Sequence, residues 1–157
     1  VSDSVTVELR NTALPFATAD FSRVIVSSSG TAVFKFSAAA NGNYYLALKH
    51  RNSIETWSKS VMQFVTSNPI TYDFTTSSTK AYGNNLKFKS SDYCIFGGDV
   101  DQDGSVNLTD VIEIFNASLQ FAFGYKVADV TGNNFINLDD VILAYNNSNA
   151  FVTKKRP

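Results

Sequence analysis

Asp99, Asp101, Asp103 and Asp110 fall within one stretch, DVDQDGSVNLTD, of a chain in which only 17% of residues are charged. Two unit charges about 4 Å apart interact by about 1 kcal/mol in water, and by more near a protein surface. Such a stretch must either stay open or enclose a cation. Counted from Asp99, Asp101 is position three, Asp103 five, Gly104 six, Ser105 seven, Asn107 nine and Asp110 twelve. This is the calcium-loop spacing of the EF-hand, with Asp in place of Glu at the last position. Calcium is a hard ion that takes about six to eight oxygens at about 2.3–2.6 Å. Side chains at one, three and five can converge on one point, and glycine at six permits the sharp turn around the ion. Position seven offers its carbonyl. Position twelve lies in the first turn of the following helix, where a carboxylate also suits the helix dipole.

A second loop follows thirty residues later. Asp129, Thr131, Asn133, Phe135 (by its carbonyl), Asn137 and Asp140 occupy the same slots, with Asp139 adding a nearby charge. Thr131 and Asn133 put neutral oxygens where the first loop has carboxylates, so calcium is expected to bind there more weakly. Asn134 stands in place of the glycine; Asn tolerates the left-handed conformation better than most residues.

These loops need elements to hold them. Leu108, Val111, Ile112 and Phe115 follow the i, i+3, i+4, i+7 pattern of one helix face, and Leu138, Val141, Ile142 and Tyr145 repeat it. Sliding the tail by thirty residues superposes Asp99 on Asp129, Val100 on Val130, Asn116 on Asn146 and Phe121 on Phe151. Two copies of one loop–helix unit are expected, the helices packing their apolar stripes on each other. Leu108 and Leu138 are read as core.

Upstream of Gly97-Gly98 the period is two. Val5, Val7 and Leu9 alternate with Thr6, Glu8 and Arg10; Ala32, Phe34 and Phe36 with Val33, Lys35 and Ser37; and Tyr44, Leu46 and Leu48 with Tyr45, Ala47 and Lys49. Shorter strands are predicted at 61–65, 70–74, 86–89 and 93–96, and Val24-Ile25-Val26 precedes a Ser/Gly turn. Seven or eight short strands punctuated by Ser, Gly and Asn predict a mainly β fold with a small α part. The expected architecture is an antiparallel β-sandwich over 1–96, followed by a two-helix, two-calcium-loop module over 97–157.

Composition narrows function. Thirteen basic and fourteen acidic residues leave a net charge of −1, which argues against a nucleic-acid partner. The basic end, Lys154-Lys155-Arg156-Pro157, reads as a solvated terminus. No apolar run approaches the about 18 residues of a transmembrane helix. The lone Cys94 forms no intramolecular disulfide and reads as a buried small hydrophobe. Abundant Ser, Thr, Asn and aromatics suggest a secreted bacterial domain. No signal peptide is seen, and the chain opens on a strand-like pattern, as a mature or excised piece of a longer precursor would.

Nothing singles out catalysis. The only histidine, His50, lies between a strand and a turn and reads as structural. No nucleophile elbow, zinc-protease motif or phosphate-binding glycine loop occurs. Carboxylate pairs such as Glu55 with Asp73 occur, but nothing singles them out. Trp57, Tyr44, Tyr45 and Tyr82 would make a carbohydrate-stacking platform if exposed, though aromatics in such a domain more often form core.

Residues 99–150 resemble a dockerin: two Asp-rich calcium loops, each followed by one helix. The first loop fits that family's D-x-[DN]-x-D-G-x-[VI]-[ND]-x-x-D pattern throughout; the second departs at Thr131 and Asn134. The stretches YYLALKHRNSIETWS and AYGNN resemble the β-sandwich that precedes dockerin-like tails at the C-termini of large secreted bacterial proteins. The resemblance implies a non-catalytic extracellular module in which calcium folds the repeat pair. It also implies that Leu108, Thr109, Leu138, Asp139 and the adjacent helix surface dock onto a cohesin-like partner. Two alternatives accompany this expectation: a structural subunit of an extracellular filament or surface layer, joined to identical subunits by strand donation, and a carbohydrate-binding accessory domain.

Overall fold

The computed structural model describes residues 3–157. Its chain divides into two compact units, and the division does not fall at one point of the sequence. One unit, the repeat unit, gathers His50–Ile54 with Ile95–Lys154. The other, the strand unit, holds the residues up to Lys49, Glu55–Cys94 and Lys155–Pro157. The change of period near residue 97 marks where the helices' own sequence begins. It is blind to the turn at 50–54, which joins that sequence from far upstream. No helix is long and apolar enough to cross a membrane.

The fold is mainly antiparallel β with two helices. The strands are β1 (Asp3–Asn11), β2 (Thr18–Val26), β3 (Gly42–His50), β4 (Ser53–Trp57), β5 (Met62–Phe64), β6 (Lys87–Lys89) and β7 (Asp92–Cys94). The main sheet runs β2-β1-β3-β4 with β5 also on β3, and β6 pairs β7 in a separate hairpin. Leu9 sits opposite both Asp20 and Leu46. Val7 and Leu9 are buried, as the period of two requires. Phe16, Ala47 and Trp57 form the core of the strand unit, with Tyr45 and Tyr82 packed on it. The Phe16 ring meets Tyr45 and Trp57 edge-on at 6.3 and 5.9 Å. The buried indole N–H of Trp57 donates to Glu55 Oε1 at 2.5 Å, and the Arg10 guanidinium lies 5.4 Å over its ring.

Two expected strands do not form. Residues 31–36 alternate correctly but have no strand partner. That segment is tethered through side chains instead: the Lys35 N–H donates to Ser22 Oγ, and those of Ala38 and Ala39 to Asp20 Oδ2. Residues 70–74 are irregular too. Conversely, β4 was not expected. It is buried at four of its five positions, on both faces, which erases the alternation that reveals a strand. Cys94 is exposed rather than buried. It lies on the β6–β7 hairpin on the same side as exposed Asp92, while Tyr93 turns the other way to pack on Phe88 at 5.1 Å.

In the repeat unit, α1 spans Leu108–Leu119 and α2 spans Leu138–Asn149. Asn107 and Asn137 are their N-caps, and Asp110 and Asp140 close capping boxes by accepting the cap residues' own N–H groups. The core joins Val100, Val111, Ile114, Ala128, Ile136 and Ala144. A second cluster joins Ile54, Val106 and Val152, with Phe96 against it. The two copies interlock. The Val106 N–H donates to the Val152 carbonyl at 2.8 Å, and thirty residues on the Ile136 N–H donates to the Ala122 carbonyl at 3.1 Å. Each loop is thus stitched to the segment that follows the other copy's helix.

The buried helix face is the expected one only at Val111 and Val141. Val111 and Ile114 point into the core, whereas Leu108, Ile112 and Phe115 are exposed. Leu138, Ile142 and Tyr145 are exposed on α2 in the same way. On α1 both faces are apolar, so periodicity alone could not tell which one is covered.

Candidate metal centre

The first loop brings three carboxylates together. Asp99, Asp101 and Asp103 each offer one oxygen, all within 4.8 Å of one another, and this is the only such group of metal-ligating side chains among the described residues. Gly104, at φ 94°, makes the turn that Asp99 needs, and its N–H donates to the Asp99 carboxylate. The Asp103 N–H donates to Asp101 Oδ1 at 3.0 Å and the Ser105 N–H to Asp103 Oδ1 at 2.7 Å, which winds the loop around its own side chains. Asp99 is only 2% exposed. Its Oδ1 is buried with no hydrogen-bond partner. Burial pushes the Asp99 carboxyl up to about 6; the Gly104 N–H opposes this, and Asp110, Asp103 and Asp101 add to it.

The remaining first-loop residues have a second task. Asp110 lies deeper: its Oδ1 accepts the Val100 N–H at 2.8 Å and its Oδ2 the Asn107 N–H at 2.9 Å. Burial raises its carboxyl above the ordinary value. Asn107 Oδ1 accepts the Thr109 N–H at 2.7 Å, while its amide reaches Asp103 Oδ2 at 3.3 Å. Ser105 bridges to Thr153 through its backbone. All of these donors are hard oxygens, and the bare Asp99 Oδ1 is an anionic atom without compensation. That donor set fits a hard divalent cation.

The second loop is closed by hydrogen bonds. Asp129, also 2% exposed, has both oxygens engaged. Its Oδ1 accepts the N–H groups of Gly132 at 2.9 Å and Asn133 at 3.1 Å, and its Oδ2 that of Asn134 at 3.0 Å. The Thr131 N–H and hydroxyl both donate to Asp140 Oδ1 at 2.9 Å. Asp140 Oδ2 accepts the Asn137 N–H at 3.0 Å, and Asn137 Oδ1 that of Asp139 at 2.8 Å. Asn133 Oδ1 accepts the Phe135 N–H at 2.8 Å. Phe135 bridges to Phe123 as Ser105 does to Thr153, and Asn134 takes φ 69°.

Two further residues belong to this region. The Asn52 amide donates to the carbonyls of Val127 at 2.9 Å and Asp129 at 2.8 Å. The Arg51 guanidinium donates to the Lys126 and Asp129 carbonyls. It also lies 3.9 Å from Asp129 Oδ2 and 4.3 Å over the Tyr125 ring. Nothing in the sequence ties residue 51 to residue 129; the only local signal is a polar turn, HRN, between two strands.

Other sequence candidates resolve into structure. Trp57 and Tyr44 are buried, so the four aromatics present no stacking platform. His50 Nδ1 is 2.9 Å from Ser53 Oγ. Glu55 pairs with Trp57 and Lys49, and Asp73 binds the Thr75 N–H and hydroxyl. The Thr75 bonds pull the Asp73 carboxyl below its ordinary value.

No family model matches the sequence, and no curated protein matches it. Among solved structures, the chain is similar to a C-terminal interface mutant of a type II cohesin–X-dockerin complex from Acetivibrio cellulolyticus. The TM-score is 0.50 at 18% identity, over 96% of this chain and 85% of that one. An N-terminal interface mutant of that complex aligns with a TM-score of 0.48, at the same identity and coverage. At this identity the likeness is one of fold.

Proposed function

We propose that the chain is a non-catalytic, extracellular docking module in which calcium in the first loop organises α1, and that a cohesin-like protein domain docks onto the exposed helix surfaces. One observation carries this reading: the repeat duplicates exposed apolar residues that no core needs. Leu108 and Leu138 are 65% and 64% exposed, and Phe121 and Phe151 are 87% and 85% exposed. Both phenylalanines sit just after a helix in the left-handed region, at φ 51° and 52°, which is uncommon for a bulky residue. Ile112 with Ile142 and Phe115 with Tyr145 complete the series. Exposed apolar patches of this kind mark interaction sites in soluble proteins, and aromatic anchors carry much of the energy of protein interfaces. The cohesin–X-dockerin complex of similar fold suggests the class of partner. In calcium, the chain should bind an immobilised type II cohesin, and chelator or a Phe121→Ala/Phe151→Ala double variant should remove that binding. Binding that survives both would refute this reading.

The edge strand β2 favours a second reading, assembly with identical subunits by strand addition. Phe21 and Ile25 are exposed on β2, and an edge strand offers unpaired backbone groups to another chain. Light scattering that finds only monomer at high concentration in calcium would eliminate it.

A further inference from the structure

We propose that the second loop is organised by Arg51 and by its own backbone amides rather than by a divalent cation, so that the chain takes one calcium ion and not two. The ion count rests on the first-loop reading above; the role of Arg51 does not.

The argument starts from two carboxylates in equivalent places. Asp99 and Asp129 are equally buried, and a buried carboxylate must be compensated. Asp99 keeps Oδ1 without a partner. Asp129 is held by three backbone N–H groups at 2.9–3.1 Å, and the Arg51 guanidinium lies beside Oδ2. Hydrogen bonds to an ionised carboxylate are among the stronger ones in proteins, so Asp129 is compensated without a metal. The positions that should supply further ligands bring no carboxylate, only the neutral oxygens of Thr131 and Asn133. The Thr131 hydroxyl donates to Asp140, and Asn133 Oδ1 accepts a backbone N–H. A divalent ion at Asp129 would also have to approach a fixed guanidinium, and like charges repel most where water is scarce.

Arg51 is itself fixed. Its fork holds the Lys126 and Asp129 carbonyls, the neighbouring Asn52 amide holds those of Val127 and Asp129, and its charge lies over the Tyr125 ring. Arginine suits this work because its planar donors are pre-arranged and always charged. The substitutions at positions three, five and six of the second loop are therefore the sequence counterpart of a cation supplied from residue 51.

The test is amide hydrogen exchange, resolved by NMR, on the full chain in chelator and in calcium. Its readout is the amides of Gly132, Asn133 and Asn134. They should be protected in chelator. In Asp103→Asn, which weakens the first loop, adding calcium should leave them unchanged. Arg51→Met should lower their protection by about tenfold, the scale of one lost charge-assisted hydrogen bond. Free exchange in chelator, with protection gained on adding calcium to Asp103→Asn, would overturn the proposal. So would native mass spectrometry showing two tightly held calcium ions per wild-type chain, which decides the matter even if Arg51→Met fails to fold. A chain that holds no calcium yet keeps these amides protected would support the role of Arg51 while refuting the first-loop reading.

Discussion

Asp99 and Asp129 stand thirty residues apart at the same point of a repeat and are equally buried, yet only Asp99 retains a carboxylate oxygen with no partner. Two copies of one sequence unit have thus reached different electrostatic solutions. The first loop keeps a carboxylate oxygen without a hydrogen bond; the second is closed by amides and a guanidinium.

Chelation should weaken the repeat unit selectively. An ion that binds only the native state stabilises it by RT ln(1 + [L]/Kd), about 2.7 kcal/mol at a hundredfold excess over Kd. Calorimetry in chelator should show the unit containing Ile95–Lys154 melting first, with the strand unit unchanged. A single transition, identical with and without calcium, would contradict this.

Equivalent loop positions should respond unequally to truncation. Asp103→Ala removes a charge from the cluster of three carboxylates, whereas Asn133→Ala removes one neutral hydrogen bond to the Phe135 N–H. The first should lower calcium affinity by about tenfold or more, and the second by less than about threefold, following the difference between charged and neutral partners. Calcium titration of the two variants checks it.

The pH dependence without calcium should run opposite to that of an ordinary paired carboxylate. The Asp99 carboxyl is raised from 3.8 to about 6. The folded chain therefore holds this proton at pH values where the unfolded chain has released it. Stability in chelator should fall as pH rises from about 4 through 6, the window between the two values. With calcium present the ion competes with the proton, so its affinity should fall as pH drops below about 6. Urea melts at pH 4.5 and 7, with and without calcium, give both signs.

Neighbouring isoleucines of α1 separate folding from docking. Ile114 is fully buried and Ile112 is half exposed. Ile114→Ala should cost about 2–5 kcal/mol of stability, and Ile112→Ala less than about 1 kcal/mol. Only Ile112→Ala should weaken partner binding while leaving the melting temperature close to wild type.

The clustering of Asp99, Asp101 and Asp103 was legible because it is local: the three carboxylates lie within five consecutive residues, and the structure places them together. The helices were legible for the same reason, their period being local; their asparagine caps were read only as loop positions. What escaped depends on distance along the chain. The side of α1 that is covered is decided by Ala128, Ile136 and Ala144, which its own period cannot name. Strand β4 hid because it is buried on both faces. Residues 31–36 carry a strand pattern but find side-chain tethers in place of a backbone partner. Arg51 and Asn52 reach Asp129 across more than seventy residues, and no motif announces that pairing.

The most direct test is calorimetric titration of calcium into the chelator-stripped chain, wild type and Asp101→Ala. A saturable site in the wild type that is lost in the variant is the result expected if Asp99, Asp101 and Asp103 hold the ion. No binding to the wild type, or binding unchanged in Asp101→Ala, would contradict it.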